Sequence, residues 1–217
     1  MISFILPTRK RLPYAIRTLT STFNSCSDPS NLEILLGIDE DDTESLQLIP
    51  FLKGYDVSYK ILVTKRYGYH NLHLYVNDLC KLASKDYVWL WNDDIYIKQD
   101  NWDKTIESHL VSSLEVYEFQ YRGTGQLFFP LVPKKITDWL GHFSLNAHND
   151  SWMYDIVREI IPIKTIPINI INNRDTNSLN IDYSEVDNSY KISSPQYFTM
   201  VKERELDRKR LRELVCK

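Results

Sequence analysis

A carboxamide and two carboxylates stand together at Asn92-Asp93-Asp94, directly after the apolar run Tyr87-Val88-Trp89-Leu90-Trp91. Such oxygen donors suit a hard divalent cation and make poor packing material. An acidic turn that merely ends a strand has the same composition, so this stretch alone leaves both readings open. Two further polar clusters follow apolar runs in the same manner. Residues 2–6 run into Pro7-Thr8-Arg9-Lys10-Arg11, and residues 32–38 run into Asp39-Glu40-Asp41-Asp42.

The elements that must position these groups follow from hydrophobic periodicity. Residues 2–6, 32–38 and 88–91 lack polar alternation and suit strands covered on both faces. Residues 57–63 alternate loosely and predict another strand. Pro13 fits the first position of a helix whose inner face is Leu12, Ile16, Leu19 and Phe23. Leu46, Ile49 and Leu52 mark a short helix around Pro50. A further helix over 71–84 places Leu72, Tyr75, Val76, Leu79 and Leu82 on one side. The order β-α-β-α-β-α-β predicts an α/β protein with a parallel sheet. All three polar clusters then fall at the carboxyl ends of strands, on the edge where such sheets bind ligands.

The second half is less regular. It predicts a helix from Asp100, a strand over 126–132, helices over 133–140 and 150–160, and a strand over 163–171 broken by Pro167. Residues 172–190 are rich in Asn, Asp and Ser and predict a mobile loop. Residues 202–217 carry seven basic and four acidic side chains and few apolar ones, which predicts a solvated helix.

Composition bounds the function. The 217-residue chain, 43% hydrophobic and 25% charged with net charge −3, reads as a soluble globular protein without nucleic acid as a partner. Cys26, Cys80 and Cys216 are scattered, as reduced cytoplasmic thiols would be. No run approaches the roughly 20 apolar residues of a spanning helix, so no transmembrane segment is expected.

With these motifs in order, the sequence resembles the family 2-like glycosyltransferases of the GT-A fold, over residues 2–160. Pro7-Thr8-Arg9-Lys10-Arg11 matches their Pro-Thr-x-x-Arg loop after strand one. Ile38-Asp39-Glu40 matches their aspartate after strand two. Asn92-Asp93-Asp94 matches their D-x-D motif, with Asn in the first acidic place. Asn77, fifteen residues before Asn92, matches the Asn of an upstream Ala-Arg-Asn-x-Gly helix, though the Arg and Gly are absent. Leu140-Gly141-His142-Phe143 and then Asn149-Asp150-Ser151-Trp152 resemble the acceptor segment and its acidic pair, again with Asn for the first acid. Many GT-A enzymes carry a His metal ligand near the carboxyl terminus; no His follows His148 here.

The resemblance implies a mixed, Rossmann-like sheet flanked by helices, in a single domain with a C-terminal helical tail. It divides into a GT-A domain over 1–200 and a charged helix over 201–217. Within the domain, about 1–98 form the nucleotide-sugar half, 99–171 the acceptor half, and 172–200 a mobile loop region. The implied activity is an inverting, metal-dependent transfer from a nucleotide-diphosphate sugar to a hydroxyl of a carbohydrate or other acceptor. Mn²⁺ or Mg²⁺ would be held by Asp94 and Asn92. Pro7, Thr8, Arg11, Asp39, Arg66, Asn77 and Asp93 would bind the donor, with Asp39 accepting from a uracil, thymine or guanine ring N–H. Arg9 and Lys10 would be solvated. Asp150 would be the general base, its pKa held down by the first turn of a helix. Two alternatives stand beside this: a catalytically silent module of the same fold that binds glycan or protein, and a sugar-phosphate nucleotidyltransferase. The latter would want a Gly-rich loop after strand one, and residues 7–11 contain no glycine.

Overall fold

The computed structural model describes residues 1–110, 114–120, 129–172 and 184–216. Its strands are β1 (Ile2–Thr8), β2 (Leu32–Asp39), β3 (Ser58–Thr64), β4 (Tyr87–Leu90), β5 (Ile95–Ile97), β6 (Val116–Gln120), β7 (Leu131–Pro133) and β8 (Ile163–Asn172). Its helices are α1 (Leu12–Asn24), α2 (Leu48–Leu52), α3 (Leu72–Leu82), α4 (Trp102–His109), α5 (Lys134–Leu140), α6 (Asn149–Val157), α7 (Ser184–Thr199) and α8 (Val201–Val215). The strands form one sheet in the order β3-β2-β1-β4-β7-β6-β8-β5. β3, β2, β1 and β4 run parallel, and β7 turns the direction by pairing antiparallel with β4. The result is the mixed α/β sheet expected.

The continuous apolar runs are explained by coverage on both faces. Phe4, Leu6, Ile34 and Leu36 face α1 and α2, where Phe4, Trp89, Trp91 and Trp102 pack ring on ring. Ile5, Leu35, Val88 and Leu90 face the opposite way, against Val76 and Leu79 of α3 and Trp152 and Met153 of α6. The three parallel strands β2, β1 and β4 are thus rigid, and their carboxyl ends are fixed relative to one another.

Three differences from the sequence reading stand out. β5 and β6 are passed over because three- and five-residue strands give too little pattern. The strand expected over 126–132 is seen as Leu131–Pro133, with 121–128 outside the described residues. Within the expected loop over 172–200, Ser184–Thr199 is a helix, and 173–183 lie outside the described residues. Its inner positions Val186, Ser189, Ser193 and Tyr197 keep helical spacing, but two serines among them mask the apolar signal.

The charged terminal helix is not a solvated tail. Arg204 and Asp207 of α8 are buried. The Asp207 carboxylate accepts from the Trp152 indole N–H at 3.0 Å and lies 3.3 Å from His142 Nε2. Arg204 donates to the Tyr197 carbonyl at 2.5 Å and pairs with Asp155 at 3.4 Å. Charge in this helix is used inward, against α6 and the turn before it. Among the described residues, no helix is long and apolar enough to cross a membrane, and no disulfide joins Cys26, Cys80 and Cys216.

At the opposite sheet edge, Glu33 is fully buried. It accepts from Ser3 Oγ at 2.5 Å and from Ser84 N and Oγ, each at 2.8 Å, and pairs with Lys60 at 2.9 Å. Burial alone would raise its pKa; the bonds from Ser3, Lys60 and Ser84 outweigh it and bring the carboxyl down from 4.5 to about 2. A depressed pKa contributes stability that is full above the unfolded value and lost as pH falls toward the folded one, here of order ~3 kcal/mol. Glu33→Gln should therefore lose about 2–3 kcal/mol at pH 7 and very little near pH 2. Urea midpoints measured at both pH values test this; equal losses would remove the charge from the explanation.

Candidate active site

Three strand ends supply the site. Thr8 closes β1, and its hydroxyl donates to Asp93 Oδ2 at 2.7 Å. Arg11, at the start of α1, donates through Nη1 to Asp93 Oδ1 at 3.1 Å and lies 3.8 Å from Asp94 Oδ2. The turn carrying Asp93 and Asp94 is pinned to α1 by Thr18, whose hydroxyl lies 3.0 Å from the Asp93 carbonyl and 2.6 Å from that of Ile95. Burial pushes the Asp93 carboxyl up; Arg11 pulls it back, and the neighbouring Asp94 pushes it further up. Thr8, Arg11, Asp93 and Asp94 therefore form one bonded cluster at the edge expected from sequence.

Asp39 ends β2 and is 2% exposed. Its Oδ2 accepts from Arg9 Nη1 at 2.9 Å, and its Oδ1 accepts from the Tyr75 hydroxyl. That hydroxyl in turn accepts from the Tyr67 N–H at 2.7 Å. Arg9 is thus not solvated surface, as its place among three loop cations suggests, but a partner of the buried Asp39. No signal within residues 7–11 shows this, because the partner lies thirty residues away. Lys10 is exposed as expected. Its backbone adopts φ 52°, with its N–H held by Asp42 at 2.7 Å. Asp42 also takes the Ser45 hydroxyl at 2.5 Å and so builds the turn.

The remaining expected site residues divide. Pro7 sits within β1 opposite Gly37, where packing against α3 is close; a Cβ on Gly37 would meet Leu79 Cδ1 at 3.2 Å. Arg66 is exposed and near enough to Asp41 to help Arg9 hold that carboxyl down. Asn77 has both ends of its amide engaged: Nδ2 donates to the Ser144 carbonyl at 2.7 Å, and Oδ1 accepts from Phe143 N and Ser144 N at 2.8 and 3.2 Å. It clamps the turn after α5 to α3, a positioning task set by these three bonds. Asn92 is half-buried between Trp91 and Asp93.

Asp150 lies in the first turn of α6 and outside the Asp93 cluster. The expectation that the helix start holds its pKa down is reversed: burial raises it, and the bonds to Ser151 only partly oppose this. Just before it, His148 Nε2 lies 3.0 Å from Ser194 Oγ and 3.3 Å from Ser193 Oγ of α7, and its ring packs on Tyr190 at 4.8 Å. Tyr190 also meets Tyr69, hydroxyl to hydroxyl at 3.5 Å. Burial first, then Tyr190 and Asp94, push the Tyr69 phenol well up. α7 therefore links the turn before α3, within reach of the Asp94 charge, to the start of α6. The sequence reading missed Tyr69 and Tyr190 because α7 was not recognised as a helix.

Asp94 and Asn92 offer oxygen atoms of the kind Mn²⁺ and Mg²⁺ take, and such ions accept few protein ligands when phosphate and water supply the rest. Among the described residues there is no group of three or more His, Cys, Asp or Glu placed for a metal. The donor set fits a cation shared with a diphosphate, with Arg11 beside it.

The chain has the GT-A fold. It superposes on a mannosyltransferase from Pyrobaculum calidifontis, solved with GDP-Man and Mn²⁺, with TM-score 0.66 and 12% identity, over 76% of this chain and 54% of that one. S. aureus TarS, solved with UDP, gives TM-score 0.55 and 16% identity over 71% and 54% of the two chains. A 4-diphosphocytidyl-2C-methyl-D-erythritol synthase from Anaerococcus prevotii gives 0.54 and 14% over 78% and 87%. The chain thus spans about half the length of the mannosyltransferase and about a third of full-length TarS. No family model and no curated protein matches the sequence.

Proposed function

We propose that this chain is a glycosyltransferase that moves a sugar from a nucleoside-diphosphate sugar to an acceptor hydroxyl, with inversion and with Mn²⁺ or Mg²⁺. The observation that carries the reading is the joining of Thr8, Arg11, Asp93 and Asp94 into one cluster at the carboxyl edge of β1 and β4. Arg11 brings a permanent cation to the diphosphate. A divalent cation held by Asp94 and Asn92 would neutralise further charge on the leaving group. Asp39 and Arg9 hold the base, and Thr8 fixes the Asp93 side of the cluster. The Asp150 carboxylate takes the acceptor proton as the acceptor oxygen bonds to the anomeric carbon. The bond from that carbon to the diphosphate oxygen breaks on the opposite face, and the nucleoside diphosphate leaves.

Nucleotidyl transfer occurs on the same fold, and the β1 loop argues against it. A nucleoside triphosphate needs close backbone approach, which glycine permits; here Arg9, Lys10 and Arg11 fill that loop. The test is a panel of UDP-, TDP- and GDP-sugars with Mn²⁺, monitored for nucleoside diphosphate release. Release should occur with one donor class, and Asp39→Asn should weaken nucleotide binding about tenfold or more by removing the charged acceptor. Pyrophosphate release from a nucleoside triphosphate and a sugar phosphate would establish the rival. Inertness in both assays would leave a binding module.

A further inference from the structure

We propose that the outer edge of β3 docks a second copy of this chain, paired antiparallel about a two-fold axis through Ile61. This interface lies outside the nucleotide-sugar site and does not depend on its chemistry. Among the described residues, β3 closes one end of the sheet and pairs only with β2. That pairing is regular, from Glu33 opposite Ser58 to Asp39 opposite Thr64, with no bulge. Glu40 N donates to the Thr64 carbonyl at 2.8 Å, so Thr64 turns its backbone groups to β2, and Leu62 and Lys60 do so by alternation. Tyr59, Ile61 and Val63 therefore turn theirs outward, where no described residue bonds them.

Sheet edges are ordinarily guarded by shortness, a proline, a bulge or an outward charge. β5, at the other end, is three residues long, and Arg17 lies over its Tyr96 ring at 4.3 Å. β3 has seven residues and none of these guards. Its one charged side chain, Lys60, is turned along the sheet: Nζ lies 2.9 Å from Glu33 Oε1 and donates to the Leu82 carbonyl at 2.7 Å. Val63 is 49% exposed, and Tyr59 and Ile61 are only partly buried.

The sequence along this edge complements itself. With Ile61 on the axis, Tyr59 stands opposite Val63 of the second copy, Ile61 opposite Ile61, and Val63 opposite Tyr59. All three are outward residues, and each pair exchanges two backbone bonds, about six in all. The same register sets the exposed Asp56, just before the strand, opposite Arg66, just after it, at both ends. Sliding two residues one way sets Lys60 against Lys60, a like-charge pair. Sliding the other way loses one outward pair and both Asp56–Arg66 pairs. A two-fold axis repeats every contact, so this complementarity selects a copy of the chain over an unrelated strand.

The experiment is sedimentation equilibrium of the wild type, Val63→Pro, Asp56→Lys, and Asp56→Lys combined with Arg66→Glu, with unfolding midpoints for each. A reducing agent keeps the exposed Cys216 from joining chains. The wild type should dimerise with a Kd of about 1–100 µM, the range of small interfaces. Val63→Pro removes an outward N–H that β2 does not use and should weaken the dimer at least about tenfold. Asp56→Lys should weaken it about threefold or more, and adding Arg66→Glu should return it to within about twofold of wild type. The lysine variant lies on an exposed turn and decides the matter if the proline variant unfolds. A wild type that stays monomeric across that range would overturn the proposal. So would a folded Val63→Pro that dimerises as the wild type does, or a double variant no tighter than Asp56→Lys alone.

Discussion

Asp150→Asn is expected to lower sugar transfer by on the order of 10²-fold or more, the scale of general-base catalysis, with donor affinity unchanged. The helix start should survive, because Asn is tolerated at helix starts as well as Asp. Donor binding should survive because Asp150 lies outside the cluster of Thr8, Arg11, Asp93 and Asp94. Burial adds two signs that a merely structural role would not give. The pKa of Asp150 is raised, so the folded state disfavours its charged form at neutral pH. Removing that charge should leave the unfolding midpoint equal or higher at pH 7. For the wild type, the acid limb of the pH–rate profile should lie above the ordinary 3.8 of an Asp, because the base works only when ionised. The variant should lose that limb. A folded variant with normal donor affinity and near wild-type turnover would move the search to His148 and to His142 on its Asp207 partner.

The parts of this architecture legible in the sequence are those set by local pattern. Three of the four parallel strands, β1, β2 and β4, announced themselves as apolar runs because each is covered on both faces, and the polar residues ending them fell on one edge because parallel strands share a direction. Thr8, Arg11, Asp93 and Asp94 were readable for that reason. What escaped was every role set by a partner distant in the chain. Arg9 looked like one of three loop cations until Asp39 was placed beside it. The part Asn77 plays in holding the turn at Phe143 and Ser144 could not be read locally, because those partners lie more than sixty residues on. Arg204 and Asp207 read as solvated charges, although their partners Tyr197, Asp155 and Trp152 bury them. Asp150 was placed correctly on a helix start, but its pKa direction depended on burial, which the helix dipole argument does not contain.

Asp94→Ala is the other large effect expected, and it separates two adjacent carboxylates. Both oxygens of Asp93 are engaged, by Thr8 at 2.7 Å and Arg11 at 3.1 Å, so Asp93 acts first as an organiser of the cluster. Asp94 lies farther from the guanidinium, at 3.8 Å, and with Asn92 carries the oxygen donors proposed to meet a cation. In the wild type, Mn²⁺ should tighten nucleoside diphosphate binding and EDTA should reverse this. Asp94→Ala should abolish the difference between the two conditions and slow transfer by about 10²–10³-fold, the range for losing one electrostatic contact to developing charge. Asp93→Ala should behave otherwise: Thr8 and Arg11 lose their shared acceptor, and the midpoint of the free protein should fall before any ligand is added. Calorimetry of nucleotide binding with Mn²⁺ and with EDTA, on both variants, measures each term. Wild-type binding that is the same in Mn²⁺ and EDTA would take the metal out of the reaction and leave Arg11 as the cation that meets the diphosphate.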